Sequence, residues 1–315
     1  MPPACADTVK IPGLGALKFH LWTRPWDAWD VRRGKARLPA LRASIRELAP
    51  LRFEPGAIRS APAVSFLTGE PFLYQTVFCA YSLLRRTARP FRLRIHDDGS
   101  LSSAGLDLLR HLFPGLVDYE TPADTEQRIE TLFPRHHFPA LRSARDTCAL
   151  LRKLLDVHGG ARGWRLFLDS DTYFHRSPDR LLDCMAAADD ACCMRDHWSN
   201  YGHPPEFLDR LCGHPVLRHV NSGLVGLRSD SIDWDQVEHW FAAMVAAGGK
   251  FVFFEQGTTA MLLSTRACRI LPPDDYVLGP SRAEVARPAA AFHHYAGDSK
   301  YRFLAFDVPR SLFHS

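Results

Sequence analysis

Residues 166–174 read LFLDSDTYF, and the reading of this stretch decides the fold. Its first half has the apolar pattern of a buried strand, which breaks into Asp169-Ser170-Asp171. Two carboxylates therefore stand together where a strand runs out, and something must offset their repulsion: a divalent cation, a basic side chain, or exposure to water. Two residues apart on an extended segment, Asp169 and Asp171 can turn toward one point, and hard oxygen ligands suit Mg²⁺ or Mn²⁺. A solvated turn would give the same three letters, so the rest of the chain has to choose.

Outward from this point the chain alternates strands and helices. AVSFL (63–67) predicts a strand, 71–87 a helix with an apolar stripe, and FRLRIHDDGS (91–100) a strand ending in Asp97-Asp98-Gly99-Ser100, which together make a β-α-β unit. A helix over 101–113, a short strand in GLVDYE, and one long helix from Ala140 to His158 lead through the Gly159-Gly160 turn into the central strand. Beyond it, Ser177-Pro178-Asp179 opens a short helix to about Ala187. ACCMRD reads as a strand, 197–219 as loop, and VNSGLVGL (220–227) as a strand. Helices follow over Trp234 to Ala246 and from about Phe254, and RPAAAFHHYAGDSKYRF (287–303) closes the unit. This rhythm argues for one open-sheet α/β domain whose ligand site lies at strand ends. Residues 1–60, rich in Pro and Trp without such a rhythm, read as an extension wrapped on that domain.

The 315 residues are 46% hydrophobic, ample for a core. A net charge of +4 without long Lys/Arg blocks implies no nucleic-acid partner. The cysteines include no C-x-x-C pair and several lie in apolar stretches, so reduced, mostly buried thiols are expected. No run of about 18 apolar residues offers a membrane span, and the first residues lack the apolar core of a signal peptide, which makes the cytoplasm the default compartment. Leu38, Leu41, Ile45 and Leu48 fall near one helical face beside Arg37, Arg42 and Arg46. This is the pattern of a surface helix packed on the domain, with peripheral membrane contact as the alternative.

Near the C-terminus stands His293-His294-Tyr295-Ala296-Gly297-Asp298-Ser299-Lys300. A neutral imidazole can complete a carboxylate metal site, Gly297 allows backbone to approach a ligand, and Lys300 offers a positive charge to phosphate. Adjacent residues of an extended segment face opposite ways, so one of the two histidines is the candidate ligand.

In order along the chain, D-x-D at 169–171, Asn221-Ser222-Gly223, Glu255-Gln256 and H-x-x-G-x-x-K at 294–300 resemble the motifs of glycosyltransferase family 8, over roughly residues 61–303. The resemblance implies the GT-A fold, a Rossmann-like open mixed sheet flanked by helices in a single main domain, with 304–315 as a C-terminal tail. It implies a hexosyltransferase that uses a nucleotide-diphosphate sugar, a UDP-sugar above others, with Mn²⁺ (or Mg²⁺), and retains the anomeric configuration. The acceptor, whether carbohydrate, lipid or protein, is left open.

Carried over by position, the resemblance assigns Asp169, Asp171 and His294 to the metal, and Gly297 and Lys300 to the diphosphate. Lys153, with Arg152 in reserve, would reach the donor, and Asn221 would contact sugar hydroxyls. Gln256 would sit on the reacting face of the sugar, with Glu255 where the family has Asp, and Asp98 would lie near the nucleoside. Each has a plainer structural alternative: a surface cation for Lys153, a strand-end bend for Asn221, a helix N-terminus for Glu255, a turn for Asp98. Acceptor choice is expected in 197–215, where Trp198, Tyr201 and His203 either stack on the acceptor or fill the core. Two other functions compete. One is a nucleotide-sugar-binding protein without turnover. The other is a haloacid dehalogenase-type phosphohydrolase, whose Asp-x-Asp normally opens the chain and continues with Gly-Thr, where this sequence has Thr172-Tyr173.

Overall fold

The structure is a computed structural model that describes residues 25–187 and 191–313. Seven strands form the main sheet: β1 (Ala63–Thr68), β2 (Arg92–Asp97), β3 (Val117–Glu120), β4 (Trp164–Leu168), β6 (Ala191–Arg195), β7 (Val220–Arg228) and β8 (Cys268–Ile270), in the order β3-β2-β1-β4-β7-β6-β8. The strands from β3 to β4 run parallel, and β7 is antiparallel to both its neighbours, so the sheet is mixed and open. β7 is buried on both faces for eight of its nine residues, as a central strand with helices on either side requires. One apolar core packs Val64, Phe66, Leu93, Leu166 and Leu224 against the helix Leu73–Thr87. On the other side, Val225 and Leu227 meet the helices Pro139–Thr147, Trp234–Ala246 and Phe254–Ser264.

A second sheet has the order β5-β10-β9, made of β5 (Thr172–Phe174), β9 (Tyr276–Leu278) and β10 (Phe292–His294). It explains how distant parts of the chain meet. When β4 ends, the Asp169 N–H donates to the Gly223 carbonyl at 2.8 Å, and the Asp171 carbonyl accepts from the Tyr295 N–H at 2.8 Å. The chain then enters β5, which pairs antiparallel with β10 so that Thr172 is level with His294. The acidic turn is thus pinned between the two sheets.

Three expectations need correction. The long helix over 140–158 is two, Pro139–Thr147 and Ala149–His158, because Cys148 is extended (φ −137°, ψ 113°). The Thr147 hydroxyl donates back to the Ser143 and Ala144 carbonyls (2.9 and 3.2 Å), competing with continuation of the helix. Within the presumed loop 197–219 lies the helix Pro205–Cys212, opened by a proline in its first turn and closed by Gly213 in the left-handed region. A helix spans Pro25–Ser44, beginning well before the helical face read over Leu38 to Leu48. Its Gly34 abuts the helix Ser299–Ala305, where a Cβ would lie 3.0 Å from the Tyr301 carbonyl, so close packing here uses a glycine rather than an apolar stripe.

Further along, Leu41, Ile45 and Leu48 are buried in the core and Leu38 packs on it, which spends the stripe inside the protein. Among the described residues no helix is long and apolar enough to cross a membrane. The described cysteines form no disulfide among themselves, and Cys79, Cys148, Cys184, Cys192 and Cys193 are buried; Cys5 lies outside the described residues.

Candidate functional site

Asp169, Asp171 and His294 each turn a ligand atom to within 4.8 Å of the others. His294 Nε2 is 3.3 Å from Asp171 Oδ1 and 3.7 Å from Asp169 Oδ2. The other ring nitrogen fixes the tautomer. His294 Nδ1 is 3.0 Å from Asn221 Oδ1, and that oxygen also accepts from the Gly223 N–H at 2.9 Å, while Asn221 Nδ2 donates to Asp196 Oδ2 at 3.0 Å. With the amide oriented this way its oxygen can only accept, so Nδ1 donates to it and Nε2 is the ring atom left to face the two carboxylates, as a donor to them or as a ligand to a shared cation. Two carboxylates and an imidazole nitrogen turned toward them form a donor set that suits a divalent cation.

Two basic side chains offset the acidic pair from its outer edges. Lys153 Nζ lies 2.6 Å from Asp169 Oδ1 and 5.3 Å from the centre of the Phe167 ring; Lys300 Nζ lies 2.9 Å from Asp171 Oδ2. Burial disfavours the charge on Asp171, but His294 and Lys300 outweigh it and hold the carboxyl well below its usual range. Burial likewise works against Lys153, yet Asp169 and Glu255 keep its pKa raised, so it stays cationic. Lys153 is buried, whereas the Lys300 side chain is half exposed and free to change partner.

The cleft in front of this group, of about 190 Å³, brings together Asp98, Lys153, Asp169, Asp171 and Lys300 with Gln75, Thr68 and the first residues of the helix Ala149–His158. Asp98 serves its own turn at the same time: its Oδ1 accepts from the Ser100 N–H (2.9 Å) and hydroxyl (2.6 Å). Arg152, the reserve for Lys153, donates to the Asp98 carbonyl at 2.9 Å. Gly297 has φ +56°, and open space where a Cβ would point, at the turn that begins the helix carrying Lys300.

Other expected residues face elsewhere. Asn221 spends both ends of its amide on protein partners rather than on the cleft. Glu255 is buried, with Oε2 accepting from Ser222 (2.8 Å) and Oε1 from Thr259 (3.3 Å), and burial raises its pKa. Gln256, half-buried, donates to the Asn200 carbonyl at 3.1 Å. Of the three acceptor candidates, Tyr201 is fully buried, donating to the Leu217 carbonyl (2.7 Å) and accepting from the Val220 N–H (3.0 Å). His203 is stacked between Phe207 and Phe254 and bonded to the Met244 carbonyl. Only Trp198, 70% exposed, is available to a ligand.

Sequence reasoning missed Gly223 as a site residue. A Cβ there would lie 2.6 Å from His294 Nδ1 and closer still to Cε1, so the glycine makes room for the ring. The signal was the Gly in Asn221-Ser222-Gly223, where strand interiors usually lack one. A hydrolase of the dehalogenase type would need a further acidic group at its metal. Among the described residues, Asp169, Asp171 and His294 are the only cluster of this kind.

No protein-family model matches the chain, and no curated protein matches it by sequence. Solved structures do match in shape. Mouse xyloside xylosyltransferase 1, in its apo form, superposes with a TM-score of 0.51 at 12% identity over 76% of this chain and 98% of its own. The bifunctional glycosyltransferase WbbM gives 0.53 at 14% identity over 85% of this chain, which spans about half (51%) of that protein. The galactosyltransferase LgtC, solved with donor and acceptor sugar analogs, gives 0.50 at 13% over 78% of this chain and 95% of its own. At these identities the likeness speaks for architecture: this chain has the GT-A fold of glycosyltransferases, an open mixed seven-stranded sheet flanked by helices.

Proposed function

We propose that this chain is a metal-dependent glycosyltransferase that moves a hexose from a nucleotide-diphosphate sugar, a UDP-sugar above others, to an acceptor with retention of configuration, in the manner of glycosyltransferase family 8. The observation that carries the reading is the convergence of Asp169 and Asp171 with His294, whose Nε2 is turned to both carboxylates, in a cleft flanked by two lysines. Residues 61–303 are the catalytic unit in this reading, with 25–60 packed on it and the rest of the extension outside the described residues, and the protein works in the cytoplasm.

A divalent cation, Mn²⁺ or Mg²⁺, held by Asp169, Asp171 and His294 would supply positive charge to the leaving diphosphate. The chain's own groups do the rest. Lys300, half exposed, leaves Asp171 for a diphosphate oxygen, and its charge counts most as negative charge builds on the leaving group. Gly297 lets the backbone come close to the same phosphates. Lys153 holds Asp169 in its orientation and is kept charged in turn by Glu255, so these two act together beneath the cleft. Asn221 positions His294 and protects its tautomer. Asp98 serves the nucleoside end of the cleft. Gln256 is a carboxamide, a poor nucleophile, which favours same-face attack by the acceptor with the leaving phosphate as base over a covalent intermediate. The acceptor approaches from the side of Asp196, where a cavity of about 240 Å³ is lined by Arg195, His197, His219 and Tyr276, with exposed Trp198 nearby in sequence.

The test is a panel of UDP- and GDP-sugars with the purified protein and Mn²⁺, reading nucleotide release. Release with one UDP-sugar, abolished by a chelator, is expected. Silence across the panel together with no thermal shift from any donor would overturn the proposal, and a shift without release would favour the binding protein.

A further inference from the structure

The same sheet carries a second polar region that the donor cleft does not use. On β2, Arg92, Arg94 and His96 alternate with the core residues Leu93 and Ile95. Register brings Ser65 of β1 level with Arg94 and with Phe167, two residues beyond Arg165 on β4. A period of two therefore puts Arg94, His96, Ser65 and Arg165 on one face of the sheet. Over this face lies a cavity of about 360 Å³, closed on the other side by the C-terminal end of the helix Ala149–His158 and the Gly159-Gly160 turn. It shares no lining residue with the donor cleft.

Its charges do not balance. The two lining acids are already taken: Glu120 receives both Nε (2.7 Å) and Nη2 (2.9 Å) of Arg128, and Asp156 receives Arg145 Nε at 2.6 Å. Arg94, Arg162 and Arg165 line the cavity without an ion pair among the described residues. His96 is 2% exposed, and neither of its ring nitrogens finds a hydrogen bond among the described residues; the nearest acid oxygen, Glu120 Oε2, is 3.5 Å away and held by Arg128. Ser65 Oγ and Arg165 Nε are buried without partners in the same region. Burial and the neighbouring Arg94 and Arg92 depress the Arg165 pKa, and burial, His96 and Arg165 push His158 down to about 3. Uncompensated positive charge and unused buried donors around one cavity are costly unless an anion accepts them.

We infer that this cavity is a second anion site, separate from the donor cleft, that takes a small phosphate-bearing ligand on Arg94, Arg162, Arg165 and His96. Guanidinium groups suit phosphate oxygens, and the volume admits a molecule larger than phosphate itself. The inference does not depend on the proposed transferase activity.

Inorganic phosphate and pyrophosphate are the probes. They are titrated in EDTA at constant ionic strength while Tm is read for the wild type, Arg94→Gln/Arg165→Gln, Arg162→Gln and Lys300→Ala. A saturable rise of about 3 °C is expected for the wild type, with an unchanged midpoint for Lys300→Ala. The midpoint should rise at least about tenfold in the double variant and severalfold in Arg162→Gln, which sits on the exposed rim and should fold regardless. The inference is overturned if the wild type shows no saturable rise, or if the rise vanishes in Lys300→Ala. Midpoints unchanged in the arginine variants would also overturn it, and Arg162→Gln decides alone if the double variant does not fold.

Discussion

Gly223→Ala is a one-carbon change that should reach the metal ligands without altering any of them. Gly223 sits within β7 and is not in the left-handed region, so alanine fits its backbone and the effect must come from the added methyl. That methyl would lie 2.6 Å from His294 Nδ1 and closer still to Cε1, against an ordinary contact of about 3.5 Å, so the ring has to retreat by more than about 0.9 Å. A retreat of that size stretches the 3.0 Å contact with Asn221 and swings Nε2 away from Asp171. Loss of an oriented histidine should weaken metal binding by about 10–100-fold, which is ~1.4–2.8 kcal/mol. The assay is calorimetric titration with Mn²⁺, backed by a far-UV spectrum to show that the variant is folded. Asn221→Ala, which removes the partner but adds no bulk, should lose less. Wild-type Mn²⁺ affinity in folded Gly223→Ala would refute the claim that His294 is held where the structure has it.

Asp171→Asn should abolish metal-dependent turnover while Tm stays within a few degrees of wild type; full activity would contradict its role as a ligand. Lys153→Ala leaves Asp169 and buried Glu255 without their cation and should cost about 3–5 kcal/mol in urea unfolding, so a loss under about 1 kcal/mol would show that the pair does not depend on it. Burial pushes His158 and His175 down to about 3, so both are neutral in the folded protein where the unfolded chain binds a proton. Stability contributed this way is complete above about pH 6.5 and falls as the pH drops toward 3, by ~2 kcal/mol for each histidine between pH 7 and 5. Urea midpoints at the two pH values should show the loss, and His158→Gln should reduce it; midpoints that do not differ would contradict the burial of these rings.

Much of the architecture was legible because its strands are long enough to show a pattern. β1, β2, β4 and β7 were all read from apolar runs, and D-x-D and H-x-x-G-x-x-K mark two segments that do meet. What brings them together was not legible. β5, β9 and β10 have three residues each, too few for a period of two to stand out, and their pairing is a tertiary fact. The break at Cys148 escaped because apolar spacing continues through it, and only the back-bonding of Thr147 marks it. Tyr201 and His203 were candidates for the acceptor because aromatic residues in a Pro-rich stretch suit either a ligand or the core, and only burial tells these apart. Asn221 was expected to contact sugar hydroxyls, and Glu255 to stand where the family has Asp. Sequence could not show that their hydrogen bonds turn inward, toward His294 in one case and beneath Lys153 in the other.

The most direct measurement is anomalous scattering from crystals grown with Mn²⁺ and a UDP-sugar. The account expects one strong peak at roughly 2 Å from a carboxylate oxygen of Asp169, one of Asp171 and Nε2 of His294. A peak elsewhere, or none while the donor is bound, would contradict it.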